Sequence, residues 1–248
     1  MRLLIISDVH SNLEALEACL AAAPPYDLVV NLGDVVGYGA SPNEVIERVR
    51  ALDAIHIRGN HDKACAGLTS VEAFNPFAQY STYWTRDALT FENKRWLAAL
   101  PQGPLCVDGA AGVQFSHGSP LDEDEYVIGS ADAIHLLPVL KVPVTFIGHT
   151  HVQGGFVLRP NAVPERILLA ARQDGTTFPL ERDTYYILNP GSVGQPRDGD
   201  PRAAFALFNT DDLTITYFRT RYDIARAQRR IIDSELPEKL ASRLAVGR

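Results

Sequence analysis

Leu3-Leu4-Ile5-Ile6-Ser7-Asp8-Val9-His10 is an unbroken apolar run that stops on two residues able to bind a cation. A short apolar run without alternation predicts a strand buried on both faces of a sheet. The same design recurs four times. Leu28–Asn31 leads into Gly33-Asp34, and Ala54–Arg58 leads into Gly59-Asn60-His61-Asp62. Val113–Ser116 leads into His117-Gly118, and Val144–Ile147 into Gly148-His149-Thr150-His151. Loops at the carboxyl ends of such strands are where open α/β sheets place their ligands. Of the seven histidines, only His56 and His135 lie outside these clusters, so histidine is placed rather than scattered.

Between the runs the helix signals are local. Ser11 followed by Glu14 has the spacing of a capping box and predicts a helix with Leu13, Leu16 and Leu20 on its inner face. Ser41-Pro42-Asn43-Glu44 repeats the signal with Pro at the first helical position. Strand, helix, strand, helix, strand through residue 58 reads as a βαβαβ unit with parallel strands. Residues 62–103 read as a helical insertion, with Phe77, Tyr80 and Trp84 at helical spacing on an internal apolar face. A helix is expected near Ala131–Leu140. After His151, strands are expected near Gly155–Leu158, Tyr185–Leu188, Ala203–Phe208 and Leu213–Phe218, forming a mostly antiparallel second sheet. The tail from Asp223 reads as one or two amphipathic helices with Arg226, Arg229 and Arg230 on a solvated face. No repeat or long linker divides the chain, so residues 1–248 are read as a single domain.

Composition bounds the function. The 46% apolar fraction supports a sizeable core, and no stretch reaches the roughly 20 apolar residues that span a bilayer. The run before Asp8 is too short for a signal-peptide core. Cys19, Cys65 and Cys106 are odd in number and far apart, which predicts buried free thiols in a reducing cytosol. A net charge of −7 argues against a large nucleic-acid surface but leaves room for a small phosphate ester, because bound cations reverse the local field.

The polar ends of the runs make one chemical set. Asp8, His10, Asp34, Asn60, His117, His149 and His151 offer oxygen and imidazole donors and no thiolate. That mixture favours Mn²⁺, with Fe, Zn²⁺, Co²⁺ or Ni²⁺ also fitting, over Ca²⁺ or Mg²⁺ alone. Two such ions roughly 3.5–4 Å apart clamp a phosphoryl group and lower the pKa of a bridging water, the expected nucleophile. That many buried charges and imidazoles would be costly without a cation.

The ordered series Asp-x-His, Gly-Asp, Gly-Asn-His-Asp, His-Gly, Gly-His-Thr-His resembles the calcineurin-like metallophosphoesterases over Asp8 to His151, about three-fifths of the chain. Asn189-Pro190-Gly191-Ser192-Val193-Gly194-Gln195-Pro196-Arg197 resembles the C-terminal block of a bacterial branch grouped with small phosphodiesterases and proposed diadenosine tetraphosphatases. The resemblance implies an α/β fold: a four-layer α/β/β/α sandwich of two mixed sheets flanked by helices. It implies that Asp8, His10 and His151 hold one metal, that Asn60, His117 and His149 hold the other, and that Asp34 bridges. It also implies that His61 protonates the leaving oxygen and that Arg58 contacts phosphate.

The implied activity is cleavage of a small phosphodiester or nucleotide. A Ser/Thr phosphomonoesterase is the alternative, suggested by Arg58-Gly59-Asn60-His61-Asp62, and a non-catalytic scaffold is a third reading. The loop Asp34-Val35-Val36-Gly37-Tyr38-Gly39 lacks the Asp-Arg pair of the protein phosphatases, and no expected ligand is replaced. Around this set, Asp62 reads as a cap carboxylate and the Asn189–Ser192 stretch as a turn. Arg197 either contacts phosphate or pairs with Asp198 and Asp200. The run Asp122-Glu123-Asp124-Glu125 reads as a solvated loop. The sequence leaves the oligomeric state open.

Overall fold

The computed structural model describes residues 1–169 and 174–248. The βαβαβ opening forms as expected: β1 (Arg2–Ile6), α1 (Leu13–Ala22), β2 (Leu28–Asn31), α2 (Pro42–Arg50) and β3 (Ala54–His56). The three strands are parallel, with Ile6 opposite Asn31 and Asn31 opposite His56. This register brings the loops that follow all three strands to one edge of the sheet. The insertion is helical, with α3 (Asn60–Cys65), α4 (Pro76–Ala88) and α5 (Phe91–Ala98). There follow β4 (Leu105–Cys106), β5 (Val113–Phe115), α6 (Ser130–Leu136), β6 (Val144–Phe146), β7 (Gly154–Leu158), β8 (Glu165–Ile167), β9 (Gly175–Pro179), β10 (Tyr185–Asn189), β11 (Ala203–Asn209) and β12 (Thr214–Thr220). The chain closes with α7 (Ile224–Asp233) and α8 (Glu238–Leu244).

Two mixed six-stranded sheets result. One runs β3-β2-β1-β11-β12-β9 and the other β4-β5-β6-β10-β7-β8. The strands after His151 do not make a sheet of their own: β9, β11 and β12 complete the first sheet, while β7, β8 and β10 complete the second. The pleat explains why both sheets bury both faces. In β1, Leu3 and Ile5 meet Phe115, Phe146 and Leu188 between the sheets, whereas Leu4 and Ile6 meet Leu16, Val45 and Leu97 beneath the helices. In β10, Leu188 faces the first sheet and Ile187 faces Leu136 of α6. The layers are therefore helix, sheet, sheet, helix. Among the described residues, no helix is long and apolar enough to cross a membrane.

Several local expectations differ. The cap of α1 is Asn12, whose side chain accepts from the Ala15 N–H at 3.1 Å. Ser11 is instead drawn into the preceding loop, where its N–H donates to the Val35 carbonyl and its φ is 54°. Glu14 is thereby released to pair with Arg230 and Arg226, so those arginines are not merely solvated. Ser41 does precede α2, but its hydroxyl makes no cap bond. In α4 the buried residues are Ala78, Ser81, Thr82 and Thr85, while Phe77 and Tyr80 are 44% and 51% exposed. The Ser81 and Thr82 hydroxyls bond back to the Ala78 carbonyl, which hides their polarity and lets a polar face pack inward. Cys19 and Cys65 are buried, but Cys106 is exposed on the two-residue edge strand β4.

Candidate metal centre

Asp8, His10, Asp34, His149 and His151 all have φ between 49° and 64°, in the left-handed region that non-glycine residues rarely occupy. The loops are held in this strained form by close packing. A Cβ on Gly59 would stand 2.1 Å from Asp34 Oδ1, and one on Gly148 2.0 Å from Ser7 Oγ. Each glycine thus lets one strand-end loop press against another. Strain concentrated in this way is typical of sites where geometry is over-determined.

The two carboxylates are each half satisfied. Asp8 Oδ2 accepts the His149 N–H at 3.1 Å, and Asp34 Oδ1 accepts the His61 N–H at 2.8 Å. The other oxygens, Asp8 Oδ1 and Asp34 Oδ2, are buried without a hydrogen bond. They face imidazole nitrogens: His151 Nε2 lies 3.3 Å from Asp8 Oδ1, while His10 Nε2 and His117 Nε2 lie 3.6 and 3.4 Å from Asp34 Oδ2. His117 Nε2 is also 3.2 Å from Asn60 Oδ1.

Backbone carbonyls fix the rings. Nδ1 of His10 donates to Val36 O, that of His117 to Leu32 O and that of His151 to Gln195 O, at 3.0, 3.0 and 2.6 Å. Burial keeps the His10 and His151 rings neutral, so each is left with an Nε2 lone pair aimed inward. His10 and His151 face each other Nε2 to Nε2 at 3.1 Å, an arrangement of two lone pairs that a shared cation relieves. Orphaned carboxylate oxygens and converging lone pairs are therefore what a divalent cation fits. Two sets can hold one: Asp8, His10, Asp34 and His151, and Asp34, His117 and His149. Asn60 adjoins the second set through His117. Asp34 belongs to both.

Electrostatics tie the set together. Burial would raise Asp8 and Asp34, but His151 beside Asp8 and His117 beside Asp34 hold both below the usual carboxylate range. Burial would lower His117, yet Asp34 outweighs it and pushes it up to about 9. Burial lowers His10, His149 and His151, with His149 near 3.

His61 stands beside the cluster rather than in it. Its ring packs against Tyr38, Phe74 and His10 at 4.4, 4.9 and 5.0 Å, and its Nδ1 is buried with no partner. Burial, opposed by Asp34 and reinforced by Arg197, lowers it to about 4. Asp62 is a cap: its carboxylate accepts from the N–H groups of Gly59 and Val36. Burial, with Asp34 close by, raises it to about 7.

Arg58, expected to contact phosphate, lies against an acidic side chain. Its Nη2 and Nε bind the Glu123 carboxylate at 2.9 and 3.3 Å. Glu123 is 6% exposed and also pairs with Lys63. The acidic run is thus not simply solvated. It is pinned at the rim, where the Asp124 carbonyl meets His149 Nε2 at 3.2 Å and Tyr126 stacks on the His149 ring at 3.7 Å. Arg197 does not pair with Asp198 or Asp200, which bind Arg219 and Arg202 instead.

The Asn189–Gln195 segment is more than a turn. Asn189 Nδ2 holds the carbonyl of Gly148 and the hydroxyl of Thr150. Ser192 Oγ and the Gly194 N–H both reach the Asp8 carbonyl. Gln195 supplies the carbonyl that orients His151. One segment therefore clamps the loops after β1 and β6 together, a role that its Pro and Gly residues alone did not signal.

The chain is similar to several known proteins along its whole length. A metallophosphoesterase from Sphaerobacter thermophilus is 42% identical, with a TM-score of 0.85 over 100% of this chain and 99% of its own. An uncharacterised protein of Methanocaldococcus jannaschii is 36% identical over 98% of this chain and 97% of its own. A hypothetical protein of Pyrococcus horikoshii shares the fold at 20% identity, with a TM-score of 0.77. Residues 1–153 match the profile of the calcineurin-like phosphoesterases, and on that match and these relatives the chain belongs to the calcineurin-like phosphoesterase family, whose metal-dependent hydrolysis of phosphate esters its Asp and His clusters are built to support.

Proposed function

We propose that this phosphoesterase cleaves a small phosphodiester or nucleotide, with manganese as its working metal and a cytoplasmic location. The observation that carries the reading is the shared Asp34 Oδ2, unpartnered and facing a histidine from each ligand set. Two divalent ions held there would supply the Lewis acidity and the low-pKa water that attack on phosphorus needs. The protein's part is positioning. The carbonyls of Val36, Leu32 and Gln195 keep three imidazoles in the tautomer that ligates.

His61 is proposed to protonate the leaving oxygen. Burial and Arg197 keep its ring neutral at pH 7, so the negative charge of an arriving phosphate is what raises its proton affinity. A cavity of about 290 Å³ has an apolar side formed by Tyr126, Val127, Ile128, Ile147, Val152 and Phe156 and a polar side formed by Thr150, Gln153, Arg166, Asn189 and Arg197. Its apolar side suits an organic substituent on the phosphate, which favours a diester.

The test is initial rates on bis-p-nitrophenyl phosphate and p-nitrophenyl phosphate, after chelation and after Mn²⁺ is restored. Diester cleavage that returns with Mn²⁺ is expected. Activity on the monoester alone would turn the reading toward a phosphomonoesterase, and none on either ester would count against it.

A further inference from the structure

Two guanidinium groups lie over one aromatic ring beside the metal centre. Arg197 Cζ is 5.6 Å from the Tyr38 centroid, and Arg243 Cζ is 5.8 Å from it. The ring of Tyr38 packs at 4.7 Å against His10 and at 4.4 Å against His61. Arg197 is held close by its own backbone, whose N–H donates to the His151 carbonyl. Arg243 reaches the same ring from α8, near the other end of the chain in sequence.

Among the described residues, no Asp or Glu side chain forms an ion pair with either arginine. The nearby Asp198 and Asp200 are taken by Arg219 and Arg202. Arg197 Nη2 donates to Gln195 Oε1 at 3.1 Å, and its Nε is buried without a partner. Arg243 Nε donates to the main-chain oxygen of Arg248. Across the site the opposite holds, because Arg58 and Lys63 are both neutralised by Glu123 and Asp124. Two like charges are thus gathered, partly buried, over one tyrosine ring whose attraction offsets only part of their repulsion. Burial and the neighbouring Arg197 charge act together to lower the Arg243 pKa. Arg197, with its unpartnered Nε, is open to an anion beside the Arg243 guanidinium, and the guanidinium fork matches phosphate oxygens two at a time.

We propose that Arg197 and Arg243 form a second anion subsite, one ring removed from the metal ligands, which holds the second phosphate of a diphosphate ester such as a nucleoside diphosphate. The proposal rests on the phosphoesterase reading above, since it needs the first phosphate to sit at the metal centre.

The experiment is calorimetric titration of the Mn²⁺-loaded protein with adenosine 5′-(α,β-methylene)diphosphate and with AMP. The wild type is expected to prefer the diphosphate by at least tenfold. Arg243→Gln and Arg197→Gln are expected to bring that ratio near one, and Arg243→Lys to keep part of it. A ratio of two affinities measured in the same variant is insensitive to a general loss of folded protein. A wild-type ratio near one, or a ratio that both Gln variants leave intact, overturns the subsite. If the wild type cleaves neither chromogenic ester, the phosphoesterase reading has failed, and the affinity ratio still decides whether the arginines hold a second phosphate.

Discussion

Replacing Asp34 by Asn separates a shared ligand from ordinary ones. In the wild type, Oδ1 is held by the His61 N–H, and Oδ2 faces His10 and His117, one from each ligand set. An asparagine keeps the first bond. Its amide N–H₂, in place of Oδ2, faces His10 Nε2 but gives up the attraction between the carboxylate and the His117 ring. The variant is therefore expected to melt, in chelator, below the wild-type temperature.

Metal linkage is where it should fail. An ion at 100 times its Kd stabilises the folded state by about 2.7 kcal/mol per site, so two sites give about 5.4 kcal/mol. For a chain of this size each kcal/mol shifts the melting temperature by about 2–4 °C, so full Mn²⁺ loading should add about 11–22 °C. His10→Ala and His117→Ala each damage one set and should keep about half of that shift. Asp34→Asn damages both and should lose nearly all of it. The assay is differential scanning calorimetry with and without Mn²⁺. If Asp34→Asn keeps half the shift or more, Asp34 is not shared, and the argument from its second oxygen is wrong.

Three further outcomes are expected. Gly59→Ala forces a methyl to within 2.1 Å of Asp34 Oδ1, so it should cost about 1–3 kcal/mol by overpacking and weaken the Mn²⁺-dependent shift, both measurable in the same melts. Asn189→Ala removes the bonds to the Gly148 carbonyl and Thr150 hydroxyl, at about 1 kcal/mol each, and should lower turnover; full activity would show that the clamp does not position His149 and His151. Burial lowers the His56 pKa from 6.5 to about 4, so the folded ring stays neutral while the unfolded one takes a proton below about pH 6.5. Stability is therefore lost as pH falls from about 6.5 to 4, by about 1–2 kcal/mol after allowance for partial solvent access. His56→Gln should flatten that part of the urea-denaturation profile, and an unchanged slope would refute the assignment.

Much was legible in the chain because strand and ligand are adjacent in it. An apolar run that ends in Asp8 and His10, or in His149 and His151, carries its own prediction: the run must be buried, and the polar residues must sit where it emerges. Five such runs in order were enough for the parallel opening unit, the convergence of seven ligand candidates and the family. Residues whose roles depend on partners far along the chain were not legible. The destinations of β9, β11 and β12 follow from which edge of the first sheet was free to pair, and alternation within each strand does not encode that. Glu123 looked solvated because no local signal reveals Arg58 and Lys63 waiting 65 and 60 residues earlier in the chain. The tilt of α4 was misjudged because Ser81 and Thr82 hide their hydroxyls on their own helix, which hydropathy counts as exposed polarity. The left-handed φ of the ligands, the shared oxygen of Asp34 and the meeting of Arg197 with Arg243 over Tyr38 exist only once both sheets have closed. Sequence by itself determined which chemical groups the site would hold, since burial of a strand fixes what stands at its end. Only tertiary packing decided how those groups face one another, because lone pairs, charges and strain depend on distances between segments that the chain keeps far apart.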